Sequence, residues 1–156
     1  MCMTAINEWS PLKKMVVGIA DNAKMPEVED SHRYINHCDK AWRDIQVGPY
    51  GQTVIDQANE DLNVMVKHLE AEGVEVVRPA VNDCEYYNYC PRDNVFHHGD
   101  ITIAAPMPVK PRRNEWKAFA HHLDNVIELK CSHSMSLYNP DCVGPNPNVL
   151  ALNETE

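Results

Sequence analysis

With 156 residues, 44% of them hydrophobic and 24% charged, the chain has the length and composition of one globular domain with its own core. A formal net charge of -9 argues against nucleic acid and anionic membrane surfaces as partners, because both repel an acidic chain. No apolar run approaches the ~20 residues that span a bilayer, so no membrane partner is expected.

The opening MCMTAINEWSPLKK has neither a hydrophobic signal core nor an Arg-rich leader. The expected location is therefore cytoplasmic. There the six cysteines (Cys2, Cys38, Cys84, Cys90, Cys131 and Cys142) are reduced thiols. No C-x-x-C or H-x-x-x-H spacing is present, so no metal site is expected, and no other cofactor. His97 and His98 are neighbours on a strand-like run and point to opposite faces, which makes them poor joint ligands. They and the His121-His122 pair read as surface histidines.

Along the chain, KKMVVGIA (13–20) is short, apolar and β-branched, and reads as a buried strand. A long polar loop follows, broken by Pro26, Gly48, Pro49 and Gly51; a loop of that length suggests function or docking onto another element. TVIDQANEDLNVMVKHLEAE (53–72) is the clearest helix, with Val54, Ala58, Leu62, Met65 and Leu69 on one apolar face. Thr53 with Asp56 resembles a capping box, and Gly73 is the stop. VEVVRP (74–79) then reads as a strand closed by proline.

Further on, NVFHH and ITIAA flank Gly99-Asp100, a hairpin signal. Pro111 fits the first turn of a helix that would carry Trp116, Phe119, Ala120 and Leu123 inward. NVIELK (125–130) is another strand. Residues 94–130 therefore read as β-β-α-β. The remaining tail is rich in Asn, Pro and Ser until NVLAL, where a strand starts and the chain ends. A domain that stops at the start of an element looks unfinished.

The residues best placed for chemistry are Cys90-Pro91-Arg92-Asp93, just before the hairpin. Proline fixes the backbone, and the strand entrance gives Asp93 a rigid base. A carboxylate there can take a planar guanidinium through two parallel charge-assisted hydrogen bonds. The plainer alternative is a salt bridge or turn contact with a neighbour such as Arg92. Cys90 as a nucleophile would need a lowered pKa and a base in reach; Arg92 helps and Asp93 hinders. Tyr86, Tyr87 and Tyr89 crowd the approach to Asp93, either as packing or as a phenol wall.

NEWSPLKKMVVGIADNA, ANEDLNVMVKHLEAEGVEVVRP, CPRDNVFHHGDITIAAPMPVKPRRNEWKAF and SLYN, in that order, resemble the N-terminal portion of the glycine and inosamine amidinotransferases. The resemblance implies an α/β fold: a partial α/β propeller of β-β-α-β modules around a pseudo-fivefold axis, with residues 1–156 as a single incomplete domain. It implies a transamidinase reaction in which a cysteine attacks the guanidino carbon of L-arginine and the amidino group passes to an amine acceptor such as glycine. It places Asp93 in the active site as a guanidinium-holding carboxylate and maps the family's tyrosine onto Tyr87. Arg92 then becomes a structural partner and Cys90 incidental.

Family members are more than twice as long, and their nucleophilic cysteine, acid–base histidine and second carboxylate lie beyond the point where this chain stops. Three readings follow. The first is a truncated or split enzyme completed by a second chain that carries the C-terminal half, its open propeller exposing apolar faces. The second is a non-catalytic module that binds guanidino ligands or a protein partner. The third is an unrelated small α/β enzyme using Cys90 or a His/Asp pair.

Overall fold

The computed structural model describes residues 7, 9–29, 41–81 and 85–129. The expected NVLAL strand, the SLYN step and five of the six cysteines lie outside them. Strand β1 (Lys14–Val16) pairs in parallel with β4 (Glu75–Val77), in the register Lys14↔Glu75 to Val16↔Val77. Parallel neighbours need a crossover, and helix α1 (Gln52–Ala71) lies in it. Two short strands, β2 (Lys24–Met25) and β3 (Gly48–Pro49), form an antiparallel pair.

The 20 residues of α1 end as expected. Gly73 adopts φ +79, which glycine tolerates best. Gly73 N–H reaches Glu70 O and Val74 N–H reaches Leu69 O, each at 3.0 Å, closing a Schellman cap. The start differs from expectation. The N-cap is Gly51 with no side-chain cap, and Thr53 already lies inside the helix, so no Thr53–Asp56 box forms. Instead Gln52 Nε2 donates to Asp56 Oδ1 at 2.8 Å.

The inward face of α1 holds Ala58, Leu62 and Leu69 as expected, but not Val54 and Met65. Ile55 is buried and Leu62, Val66 and Leu69 are half-buried, whereas Val54 and Met65 are exposed. Asn59 is the cause. Its Oδ1 accepts the Ala20 N–H at 2.8 Å and its Nδ2 donates to Asp21 Oδ2 at 3.4 Å. A polar residue thus sits on the core side because it satisfies a backbone donor there.

Beyond β1, the buried run Val17, Ile19, Ala20 carries the chain past residues 86–89. Ile19 N–H donates to Asn88 O at 3.0 Å and Lys24 N–H to Tyr86 O at 2.8 Å. Gly18 permits this approach, since a Cβ there would overlap the Tyr89 backbone. One core cluster, Ala23, Met25, Tyr86 and Tyr87, forms at this junction.

Residues 95–128 carry a three-stranded sheet. β5 (Val95–His98) and β6 (Ile101–Ala104) form the expected hairpin, with Gly99 at φ +61 in its turn. β6 pairs in parallel with β7 (Val126–Glu128). The connection is not an α-helix but three 3-10 turns, Lys110–Arg112, Glu115–Ala118 and Ala120–His122. Their N–H groups reach back three residues, and the run breaks at Asn114 (φ -104) and Phe119 (φ -124). Phe119 and Leu123 point inward as expected, with Trp116 packed against them, while Ala118 is more deeply buried than Ala120. They cover the sheet face of Val95 and Val126. The opposite face carries Phe96, Ile103 and Ile127 in register, with Phe96 and Ile127 exposed.

Candidate functional site

The Pro91–Asp93 segment is a single 3-10 turn with Cys90 as its N-cap and proline at its first position. Pro91 is buried and fixes φ. Asn94 N–H closes the turn on Pro91 O at 3.1 Å, and Asn94 O accepts the Ala105 N–H at 2.9 Å. The turn is thereby tied to the end of β6. Asp93 is carried at its edge with the side chain one-third exposed.

The cation paired with Asp93 at 2.9 Å is Arg112, and Asp93's sequence neighbour Arg92 is exposed. Arg112 is 7% exposed, and each guanidinium nitrogen is engaged. Nη1 donates to Asp93 Oδ2 and Nε to Glu115 Oε2, both at 2.9 Å; Nη2 donates to Cys90 O at 3.4 Å. The guanidinium lies 4.6 Å from the Tyr87 ring centroid, a cation–π contact. Asn94 Nδ2 completes the cluster, donating to Glu115 Oε2 at 3.0 Å and to Cys90 O at 3.3 Å.

Tyr87 is buried, tilted against Tyr86 and stacked on Tyr89, each at a centroid distance of 4.1 Å. It forms the floor under Arg112. Burial raises its phenol pKa above the usual value, with Arg112 opposing. The Cys90 thiol is pushed up to about 11, first by burial and then by the Asp93 carboxylate. It is therefore protonated at neutral pH, the opposite of what a nucleophile needs. Burial opposes charge on Arg112, yet Glu115, Tyr87 and Asp93 hold its pKa above the ordinary value. Glu115 is pushed up to about 7 by burial, against the pull of Arg112 and Asn94. Asn94 Oδ1 is a buried acceptor with no donor among the described residues, and Glu115 also faces the Tyr87 backbone N–H.

The structure thus brings Asp93 and Tyr87 to one cluster, both in contact with Arg112. Sequence reasoning did not find Arg112, Glu115 or Asn94. A signal existed: Pro111, Arg112, Glu115, Ala118 and Phe119 recur at three- and four-residue spacing, and all five are buried. Two opposite charges on an apolar stripe point to a buried pair. Elsewhere, a cleft of about 500 Å³ opens between the Asp21–Lys24 turn, Tyr50 and the start of α1, with neither Asp93 nor Tyr87 in its lining. Among the described residues no cluster of His, Cys, Asp and Glu is suited to a metal ion, and no helix is long and apolar enough to cross a membrane.

Two solved structures share this arrangement of elements. Inosamine-phosphate amidinotransferase from Streptomyces griseus superposes with a TM-score of 0.68 at 23% identity, over 85% of this chain and 44% of that one. An amidinotransferase of the saxitoxin pathway of Microseira wollei superposes at 0.64 and 24%, over 85% and 43%. The fold is that of part of an amidinotransferase.

In sequence the chain is 32% identical over 148 residues to inosamine-phosphate amidinotransferase 1 of Streptomyces glaucescens, covering 86% of this chain and 42% of that protein. It is 33% identical over 132 residues to the mitochondrial glycine amidinotransferase of Danio rerio, covering 74% and 31%. The chain is a homologue of the inosamine-phosphate and glycine amidinotransferases, and it spans less than half the length of these curated relatives. No protein-family model matches it.

Proposed function

We propose that the chain is the N-terminal part of an amidinotransferase-type α/β propeller and carries the carboxylate that holds the guanidinium of L-arginine. In that reaction a cysteine thiolate attacks the guanidino carbon, the bond to the ornithine nitrogen breaks, and the amidino group moves to an amine acceptor such as glycine. The observation that carries the reading is Asp93: one oxygen is fixed by Arg112, and its side chain remains one-third open to a ligand. Tyr87 supports the same site from below through Arg112.

Cys90 does not take the nucleophile's role, because its thiol stays protonated at neutral pH. A second polypeptide bearing the family's nucleophilic cysteine and acid–base histidine would complete the enzyme. The same protonated Cys90 favours one further reading, a guanidino-ligand module without chemistry of its own. Titration of the chain with L-arginine tests what both share. Binding is expected, and its loss in Asp93→Asn; absence of heat and of any thermal shift in the unaltered protein would remove Asp93 from a guanidinium site. Adding a polypeptide with the cysteine and histidine separates the two readings, since only the enzyme reading expects ornithine release.

A further inference from the structure

Arg112 stands between two carboxylates that differ in access. Glu115 is 3% exposed and Asp93 is 33% exposed. A cation arriving from solvent reaches Asp93 and not Glu115. If Arg112 and Asp93 were alone they would form a neutral pair, and an incoming guanidinium would meet the like charge of Arg112 directly behind the carboxylate. Two ionised carboxylates around one guanidinium leave one negative charge, which matches a monovalent cation.

We infer that Glu115 is a positioning residue for Asp93: its carboxylate neutralises Arg112, so that Asp93 keeps an uncompensated negative charge with which to hold a guanidinium-bearing ligand. The inference rests on the assignment of Asp93 to a guanidinium made above. Arg112 cannot turn to a different partner, because its three nitrogens are committed to Glu115, Asp93 and Cys90 O, and its face to Tyr87.

The geometry also provides a second state. Glu115 accepts both of its side-chain hydrogen bonds on Oε2, from Arg112 and Asn94, and its Oε1 is buried outside them. Protonation of Glu115 removes the charge that balances Arg112. The groups facing Glu115 are Arg112, Asn94, Tyr87 with its ring and backbone N–H, and, across the guanidinium, Asp93 and Cys90. Burial keeps Tyr87 and Cys90 protonated through the neutral range, so neither changes charge in the window where Glu115 does. Ionisation of Glu115 therefore turns the site from neutral to negative.

The experiment is calorimetric titration of the chain with L-arginine between pH 5.5 and 8.5, repeated on Asp93→Asn and Glu115→Gln. Affinity should rise about tenfold from the acid to the alkaline end, within the range of couplings between two sites. Glu115→Gln should bind weakly with no pH dependence, and L-citrulline, the uncharged isostere, should show no rise at all. Arginine binding that Asp93→Asn abolishes but that is flat with pH, or unaltered in Glu115→Gln, overturns the role of Glu115 and leaves Asp93 in place. No arginine binding by the unaltered chain at any pH overturns the Asp93 assignment, and the inference falls with it.

A measurement free of substitutions covers the case in which Glu115→Gln does not fold. By reciprocity, a tenfold coupling means that saturating arginine lowers the Glu115 titration midpoint by about one pH unit. Carbon NMR of the glutamate carboxyls reads this directly. A midpoint that arginine leaves unmoved overturns the inference.

Discussion

Arg112 Nη1 and Asp93 Oδ2 meet at 2.9 Å across 19 residues of chain. The contact joins the Pro91–Asp93 turn to the first 3-10 turn after the hairpin, two segments that the β5–β6 hairpin separates in sequence. Its strength depends on Glu115, which shares Arg112 from the buried side at the same distance. One guanidinium therefore fixes the turn, the connection to β7 and the tyrosine floor together. That places the cluster under several predictions of stability as well as binding.

Arg112→Met keeps the volume and removes the charge. Glu115 is then left buried beside an apolar chain with only Asn94 as a donor among its side-chain partners. Breaking a buried pair from one side costs about 3–5 kcal/mol. Urea denaturation should show a loss of that order at pH 8, and a loss below about 1 kcal/mol would mean that the pair contributes little to folding.

The pH dependence of stability follows from Glu115 with a definite sign. Its folded-state pKa, about 7, lies above the ordinary value of 4.5. The folded chain thus holds this proton between pH 4.5 and 7, where the unfolded chain has released it. The contribution is full below pH 4.5 and is lost as pH rises through 7, on the order of 3 kcal/mol in all. Other carboxylates add their own slopes, so the comparison is with Glu115→Gln. The difference in unfolding free energy between the two proteins should drift in that direction between pH 5 and 8; equal slopes would show that Glu115 titrates at an ordinary value.

Ile55→Ala and Val54→Ala test the orientation of α1. Ile55 is buried and Val54 is 57% exposed. The first should cost about 2–4 kcal/mol and the second should lie within about 0.5 kcal/mol of the parent. Equal losses in thermal or urea melts would restore the face expected from sequence.

These two residues also show what was legible in advance. Spacings of three and four gave the helix, its Gly73 stop and the strand after it, because those depend on local pattern and a local backbone demand. They put Val54 and Met65 inward in place of Ile55 and Val66, because the stripe through the latter two contains Asn59. Only the distant Ala20 N–H makes that asparagine an inward residue. The hairpin was legible for the same local reason, through Gly99. The 3-10 turns were not, since Pro111 and the apolar spacing suit an α-helix equally well. Asp93 was visible as a carboxylate held by a proline-fixed turn, but its partner was not. Arg92 is adjacent in sequence, whereas Arg112 is adjacent only after the hairpin has folded back.

Gly18→Ala probes the junction beneath the tyrosines. An added methyl overlaps the Tyr89 backbone, which is itself held by the neighbouring Ile19–Asn88 bridge. Backbone cannot turn aside as a side chain can, so the loss should be about 1–3 kcal/mol or more. The near-ultraviolet signal of the Tyr87–Tyr89 stack should change with it. An alanine variant with parental stability and spectrum would mean that the two segments do not approach as closely as described.

Cys90 gives the last test, of reactivity. Its thiol is pushed up to about 11, burial being the first cause and Asp93 the second. Attack on an alkylating agent proceeds through the thiolate, so iodoacetamide at pH 7.5 should modify Cys90 slowly compared with an unstructured cysteine. The rate should climb as pH rises toward 10, and Asp93→Asn should speed it by removing a negative neighbour. Cys90→Ser should retain arginine binding, because the contacts at this position are made by the Cys90 carbonyl rather than the thiol. Peptide mapping by mass spectrometry resolves Cys90 from the other five cysteines. Fast labelling of Cys90 at neutral pH would reopen its case as a nucleophile and weaken the view that the chemistry requires a cysteine from elsewhere.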